Sequence, residues 1–528
     1  MKQVLLFGIL LIAFLLRVLY LDRFPVGFHA DEVSNGYDAY SILKTGRDQW
    51  GTPFPLVLKS FGDYKSPVYS YLTVPSVAVF GLNKFAVRLP NAIIGSLAVL
   101  AVWLLIYEIT KKKNIAFIAS ILVAVSPWHI MMSRGAFEAN LITFFLPLGI
   151  YLYLTKKEIL SSVILGIGLF TYHSAKLIIP VVFLALVLIN RKKKILPIFI
   201  FSFLFLLMLY TFGLGGGTRV AERSIFNGAL EEGARAKIEL IQTGTNPLVA
   251  RILHNKYQVV VKRFIANYKQ YFSVKYLFVD GAGEATYGMI PGVGVIYVFE
   301  GILLLGLIPL LKEKRFRKVL LPLFLWLAVS PLPAALSTGV GYAGNRAEGM
   351  IPVIQILAAF GFIGYGILLK KMDGKICKTL IGLLLLVSLF EVGSFVKIYF
   401  TKQPLNVERG MLLGNIEAAG WLKTQQGSKN IIISRSFSEP QIFIAFANKW
   451  NPADYQEWTK NWAVVTWVDQ IPEYNLANYT FKSIDWDEDG IKKDTLLVGR
   501  PEDFPKNLVP DKVFKYLDGT EAFYVKTN

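Results

Sequence analysis

Two adjacent carboxylates, Asp31 and Glu32, sit in the run Gly27-Phe28-His29-Ala30-Asp31-Glu32-Val33. This run follows an apolar segment long enough to cross a bilayer. Ionisable groups at membrane depth often mark functional pathways, and a carboxylate there can act as general base toward a substrate hydroxyl. The same Asp31 could instead cap a helix over residues 32–43 by accepting from its exposed amides. Other polar residues fall in short segments assigned to the same membrane face: Tyr64 and Lys65, Arg134 and Glu138, Tyr172, His173 and Lys176, and Asn345 with Arg346; of these Tyr64, Arg134, Tyr172, His173 and Asn345 are the candidate substrate-binding residues. A reaction that expels a lipid phosphate needs a base on one side of the reacting carbon and fixed positive charge on the other. Asp31, with Glu32 and Glu138, offers the acid side; Lys65, Lys176 and Arg346 offer the cations. Each also has a plainer reading. The three cations could snorkel to headgroups, Glu138 could pair with Arg134, and His173 could be a hydrogen-bonded helix end.

The elements that must position these residues are membrane helices. The chain has 528 residues, 54% of them hydrophobic, with a formal charge of +19. Apolar runs of about 17 to 23 residues recur from Val4 to Tyr399 and then stop. The positive charge clusters between them, as in Lys111 to Lys113, Arg191 to Lys194 and Lys312 to Lys318. This is a topology signal and not a nucleic-acid footprint, because basic clusters stay on the cytoplasmic side. Counting crossings this way gives about eleven helices, N-terminus inside and C-terminus outside. Pro67 to Leu82 must then be interfacial, which makes 22–87 one large outer loop. A second outer loop, 215–288, carries apolar residues such as Leu248, Ile252, Val259 and Phe264 at helical spacing. The expected architecture is a mainly α, polytopic membrane domain over 1–400 and a small extracytoplasmic α/β domain over 401–528. In the latter, helices are expected at 407–424 and 441–448 and strands at 430–434, 495–499 and 522–526.

Some chemistries are excluded. Cys377 is the single cysteine, so no intrachain disulfide or multi-cysteine metal site exists. Four scattered histidines spell out no zinc motif. Gly215-Gly216-Gly217 lacks a following Lys-Ser/Thr and is a helix exit, not a phosphate loop.

The acidic pair after the first helix resembles the GT-C superfamily of glycosyltransferases. So do Lys65-Ser66-Pro67 before aromatic residues, Phe85-Ala86-Val87-Arg88-Leu89-Pro90, and an Arg followed by Pro in a late helix. The protein O-mannosyltransferases and the aminoarabinose transferases of family 39 type are the most similar groups. The resemblance covers residues 1–200 and the surroundings of Arg346. It implies transfer of a sugar from a polyprenyl-phosphate donor, with inversion, at the outer face of the cytoplasmic membrane. Asp31 matches the family's catalytic acid, and Lys65 and Arg346 match positions that engage the lipid-linked phosphate. Tyr64 stands where the aminoarabinose transferases carry a zinc-binding Glu. A divalent cation held through Asp31 and Glu138, as in the oligosaccharyltransferases, stays open. The acceptor, whether protein, lipid or cell-envelope glycan, is not readable. A transporter or flippase of a charged glycolipid is the alternative; it would favour repeats and broken helices at mid-membrane, and neither is evident.

Overall fold

The computed structural model describes residues 2–61, 64–189, 194–217, 223–338, 342–369, 373–425, 430–460 and 471–528. The basic runs at 191–193 and 370–372 lie outside these. The molecule is mainly helical. Its first ten α-helices are α1 (Lys2–Val18), α2 (Ala30–Thr45), α3 (Val68–Phe80), α4 (Lys84–Thr110), α5 (Lys113–Val125), α6 (Pro127–Ser133), α7 (Ile142–Leu154), α8 (Glu158–Gly168), α9 (Ala175–Ile189) and α10 (Ile195–Thr211). By length and apolar composition, five helices among the described residues can cross a membrane: Lys84–Thr110, Ile195–Gly215, Lys314–Ala335, Glu348–Leu369 and Gly374–Thr401. The pair α5 and α6, bent by 59°, makes a sixth if it is one broken span. Six shorter apolar helices accompany them, α3 among them. In Gly374–Thr401 only Phe395 and Tyr399 are buried, so this helix presents nearly its whole apolar surface outward, as a lipid-facing span does.

Buried polar side chains tie the helices together. Arg17 of α1 donates to the carbonyls of Ala13, Ala124 and Val123 and lies 2.9 Å from His129 Nδ1 of α6. Helix α3 packs between α2 and α4. Its Tyr69 hydroxyl donates to Val87 O at 2.8 Å, and its Ser70 hydroxyl to Asn35 Oδ1 at 3.0 Å. In the outer segment expected to hold amphipathic helices, three form, at Ala229–Gln242, Pro247–Leu253 and Lys256–Gln270. Val259 is buried there while Leu248 and Ile252 are exposed.

The C-terminal region contains a six-stranded mixed sheet. In chain order its strands are β3 (Asn430–Ser434), β4 (Glu473–Leu476), β5 (Tyr479–Lys482), β6 (Thr495–Gly499), β7 (Lys512–Lys515) and β8 (Glu521–Thr527); β1 (Leu58–Lys59) and β2 (Tyr64–Lys65) form a separate two-stranded ladder. The order across the sheet is β4-β5-β3-β6-β8-β7, with β3 parallel to both β5 and β6. The helix expected over 407–424 is in fact two, Gln403–Val407 and Asn415–Lys423. Left-handed backbone at Leu412 (φ 53°) and Gly414 (φ 99°) interrupts it. That interruption has a role: Met411 O in the intervening turn accepts from Phe28 N at 2.8 Å. The sheet and the 22–87 segment also share a buried cluster that includes Phe28, Val33, Tyr37, Ile431, Phe443 and Phe446. The C-terminal region therefore braces the segment that carries Asp31.

Candidate active site

Helix α2 begins at the acidic pair. His29, not Asp31, is its N-cap: His29 Nδ1 accepts from Asp31 N at 3.2 Å, and Glu32 Oε2 accepts from His29 N at 3.1 Å. The expected capping role of Asp31 is thus taken by its neighbour, and both carboxylates fall in the first turn, where the helix dipole favours negative charge.

Glu32 is wholly buried. Arg88 of α4 forms a two-pronged pair with it, Nε to Oε1 and Nη2 to Oε2, each at 2.8 Å. Ala136 N donates to Oε1 at 2.8 Å, and Arg88 also donates to the carbonyls of Leu21, Pro25 and Gly27. Glu32 and Arg88 therefore lock α2, α4, the 21–27 turn and the 133–137 loop into one unit. This placement makes Glu32 a positioning residue.

Asp31 keeps about a third of its side chain exposed and lies 3.6 Å from His29 Nδ1. Its charge acts on Glu138, as does that of Lys65. Asn35, one turn further along α2, donates to Glu138 Oε1 at 2.9 Å and to Ala136 O. The loop bearing Glu138 is held from α4 by Asn91, whose amide donates to the carbonyls of Met132, Gly135 and Phe137. Glu138 does not pair with Arg134. Arg134 is buried and turned away, donating to Tyr399 Oη at 3.1 Å and to the carbonyls of Leu16 and Leu19. It joins the end of α1 to the helix Gly374–Thr401, which departs from its expected place among the substrate-binding residues.

Lys65 is buried as well, with Nζ 2.9 Å from Asp38 Oδ2 and donating to Ser34 Oγ at 2.7 Å. Both partners lie on α2. Tyr64 next to it packs on Gly215: a Cβ there would stand 2.3 Å from the Tyr64 ring, and Gly215 has φ of 102°. Glycine is required at this position on both counts.

The remaining expected residues gather in a second group. Asn345 donates to Tyr172 Oη at 2.8 Å, and Lys176 lies 5.2 Å from the Phe212 ring centroid. A cavity of about 240 Å³ is lined by Tyr172, His173, Lys176, Phe212, Arg223 and Arg346, with Leu177, Pro333 and Leu336 among its apolar walls. Among the described residues Lys176 has no carboxylate partner. The short helix Gly344–Arg346 packs against Glu138–Leu141, which brings the segment bearing Arg346 to the segment bearing Glu138. Such an arrangement can accept a proton at Asp31 and hold a phosphate at Lys176 and Arg346.

Asn35, Asp38, Asn91, Arg223 and Glu284 stand in or around these groups and were not singled out in the sequence, where Arg88 entered only as part of a motif. Glu284 Oε2 accepts from Asn345 N at 3.1 Å, and burial pushes its carboxyl up to about 7. Its one sequence signal is the preceding Gly281-Ala282-Gly283, where both glycines adopt positive φ. For a metal, Asp31 and Glu138 supply two carboxylates. Among the described residues no group of three or more His, Cys, Asp or Glu side chains gathers to complete a resident site.

A protein-family model described as dolichyl-phosphate-mannose-protein mannosyltransferase matches residues 64–213. That stretch includes Lys65, Glu138 and Lys176 but not Asp31 or Arg346. No curated protein matches in sequence. Among solved structures, ArnT from Cupriavidus metallidurans bound to undecaprenyl phosphate is 11% identical, with 99% of this chain and 97% of that chain covered and a TM-score of 0.54. The same protein in the apo state gives 12% identity, the same coverage and a TM-score of 0.52. The oligosaccharyltransferase of Archaeoglobus fulgidus, in complex with Zn and sulfate, is 13% identical over 84% of this chain, with a TM-score of 0.47; the chain spans 61% of its length. Residues 64–213 are thus similar to the mannosyltransferase family, and the chain as a whole shares the fold of ArnT.

Proposed function

We propose that the protein transfers a sugar from a polyprenyl-phosphate donor to an acceptor hydroxyl or amine, with inversion, at the outer face of the cytoplasmic membrane. The observation that carries this reading is the packing of the segment bearing Glu138, whose carboxyl feels the charge of Asp31, against the segment bearing Arg346, which lines the same cavity as Lys176. In the displacement, the acceptor oxygen or nitrogen bonds to the anomeric carbon as its proton passes to the Asp31 carboxylate. The bond from that carbon to the phosphate oxygen breaks, and its electron pair leaves on polyprenyl phosphate, where Lys176 and Arg346 stabilise the added charge. Glu138, held by Asn35, sets the charge around Asp31 and orients the acceptor. Glu32 and Arg88 fix the backbone from which Asp31 projects. Lys65, engaged by Asp38 and Ser34, balances the acids of α2 and stands behind the phosphate cations. A divalent cation held through Asp31 and Glu138 would add to the same charge stabilisation.

The remaining topology follows from the same reading. Eleven spans, N-terminus inside, result when α3 is taken as interfacial, with residues 1–400 as the catalytic membrane domain and 401–528 as an outer domain. The likeness to a fold that accommodates undecaprenyl phosphate supports the donor class. Incubating the purified protein with radiolabelled polyprenyl-phosphate sugars and a membrane extract tests the proposal. Covalent label on an acceptor is expected. Binding without turnover, or translocation without a new bond, would overturn it in favour of a receptor or a transporter.

A further inference from the structure

The cavity holding Lys176 does not end at Arg346. A second cavity, of about 310 Å³, adjoins it, and Arg223, Ser337 and Arg346 line both. The two differ in character. The first has Phe212, Leu177, Pro333 and Leu336 in its walls. The second is lined by Asn267, Gln270, Tyr271, Tyr342 and Glu284, groups that offer hydrogen bonds and ring faces. Apolar walls, then two arginines, then polar walls reproduce the order of parts in a lipid-phosphate-sugar.

We propose that this polar cavity receives the sugar of the donor and that Glu284 recognises its hydroxyls. The proposal rests on the transferase reading above and extends it to a sugar subsite. Arg346 and Arg223 at the junction take the phosphate together with Lys176, and the apolar walls beyond them take the first part of the lipid. Glu284 is well placed for the task. It enters the cavity from the 281–288 loop, and its bond from Asn345 N ties it to the segment that carries Arg346. Burial raises its carboxyl to about 7, and the ionised form accepts from a sugar hydroxyl as a charged acceptor. Asn267 already spends its amide N–H groups on the carbonyls of Ala335 and Ser337, which leaves its side-chain oxygen to accept from the sugar. An acceptor site would not need to share its arginines with an apolar chamber.

The test compares two probes on the full-length protein in detergent: undecaprenyl phosphate alone, and undecaprenyl-phosphate-linked hexoses. In Glu284→Gln, affinity for the linked sugar accepted by the wild type is expected to fall about tenfold or more, the loss of a hydrogen bond to a charged group. Affinity for the bare carrier should stay within about twofold, which also certifies the fold. Arg223→Ala is expected to weaken both probes. The subsite assignment is overturned if Glu284→Gln binds linked sugar as the wild type does, or if it raises only the acceptor KM. If the wild type binds every linked hexose no better than the bare carrier and transfers none, the transferase reading itself fails.

Discussion

Asp31 and Glu32 are neighbours in the chain, yet they meet opposite environments. Glu32 faces inward, is fully buried, and has both oxygens bonded to Arg88 and to backbone amides. Asp31 faces outward, partly exposed beside His29 and close enough to Glu138 for the two charges to interact. A helix turns about 100° per residue, so adjacent side chains cannot share a face. One carboxylate therefore builds the site, and the other is left to act in it.

That contrast can be broken at either residue. Asp31→Asn removes the proposed base with little change of shape. Transfer is expected to fall about a hundred- to ten-thousand-fold while the melting temperature stays near that of the wild type. Near-normal transfer by a folded Asp31→Asn protein would remove Asp31 from the mechanism. Arg88→Ala should do the reverse, acting first on the fold. It leaves Glu32 buried without its countercharge, a loss of about 3–5 kcal/mol, read as lower yield and a lower melting temperature. A fully stable Arg88→Ala protein would show that the pair is not what holds the 21–27 turn to α4.

The cations divide in the same way. Lys65 is buried against Asp38, whereas Lys176 lies over an aromatic ring at a cavity wall. Lys176→Ala is expected to raise the donor KM about tenfold without destabilising the protein, as for loss of one charge-assisted contact to phosphate. Lys65→Ala should instead lower stability, because Asp38 then stays buried alone. Equal effects of the two substitutions on KM, with stability unchanged in both, would cancel the distinction.

Much of this was legible in the sequence, and what was not has identifiable causes. The apolar runs, the clustering of acids and cations in short segments, and strands β3, β6 and β8 follow from periodicity and composition. β4 and β5 escaped because four residues each are too few for their in–out alternation to stand out, and β7 because none of its four positions is buried. The break at 408–414 was hidden because apolar residues run through it, and a left-handed Leu412 leaves no compositional mark. Charged residues were located more easily than their directions. Arg134 and Lys65 stand beside the site in the chain, but which face each side chain takes is fixed by α1, α2 and the Gly374–Thr401 helix, all distant in sequence. Glu284 and Arg223 join Arg346 only through the tertiary fold.

The smallest predicted effect concerns a second buried pair of acids in the first outer loop. Asp48 accepts from Trp50 N at 3.0 Å and Thr52 N at 2.8 Å through Oδ1, while its buried Oδ2 has no hydrogen-bond partner. Burial, and then the charge of Asp38, push its carboxyl up to about 7. Among the described residues, Lys59, Lys65, Tyr37, Tyr71 and Tyr455 are the other titratable groups around this pair. A raised carboxyl reverses the usual acid sign. As pH climbs from about 4, the unfolded chain gives up the proton while the folded one retains it, so stability drains away until about pH 7 and is level above that. Asp48→Asn mimics the neutral form and keeps the two bonds at Oδ1. It should match the wild type near pH 4 and exceed it at pH 8, seen as a higher melting temperature only at the upper pH. An advantage that is equal at both pH values would mean that Asp48 is ionised in the folded protein throughout, with Lys65 serving two acids and not Asp38 alone.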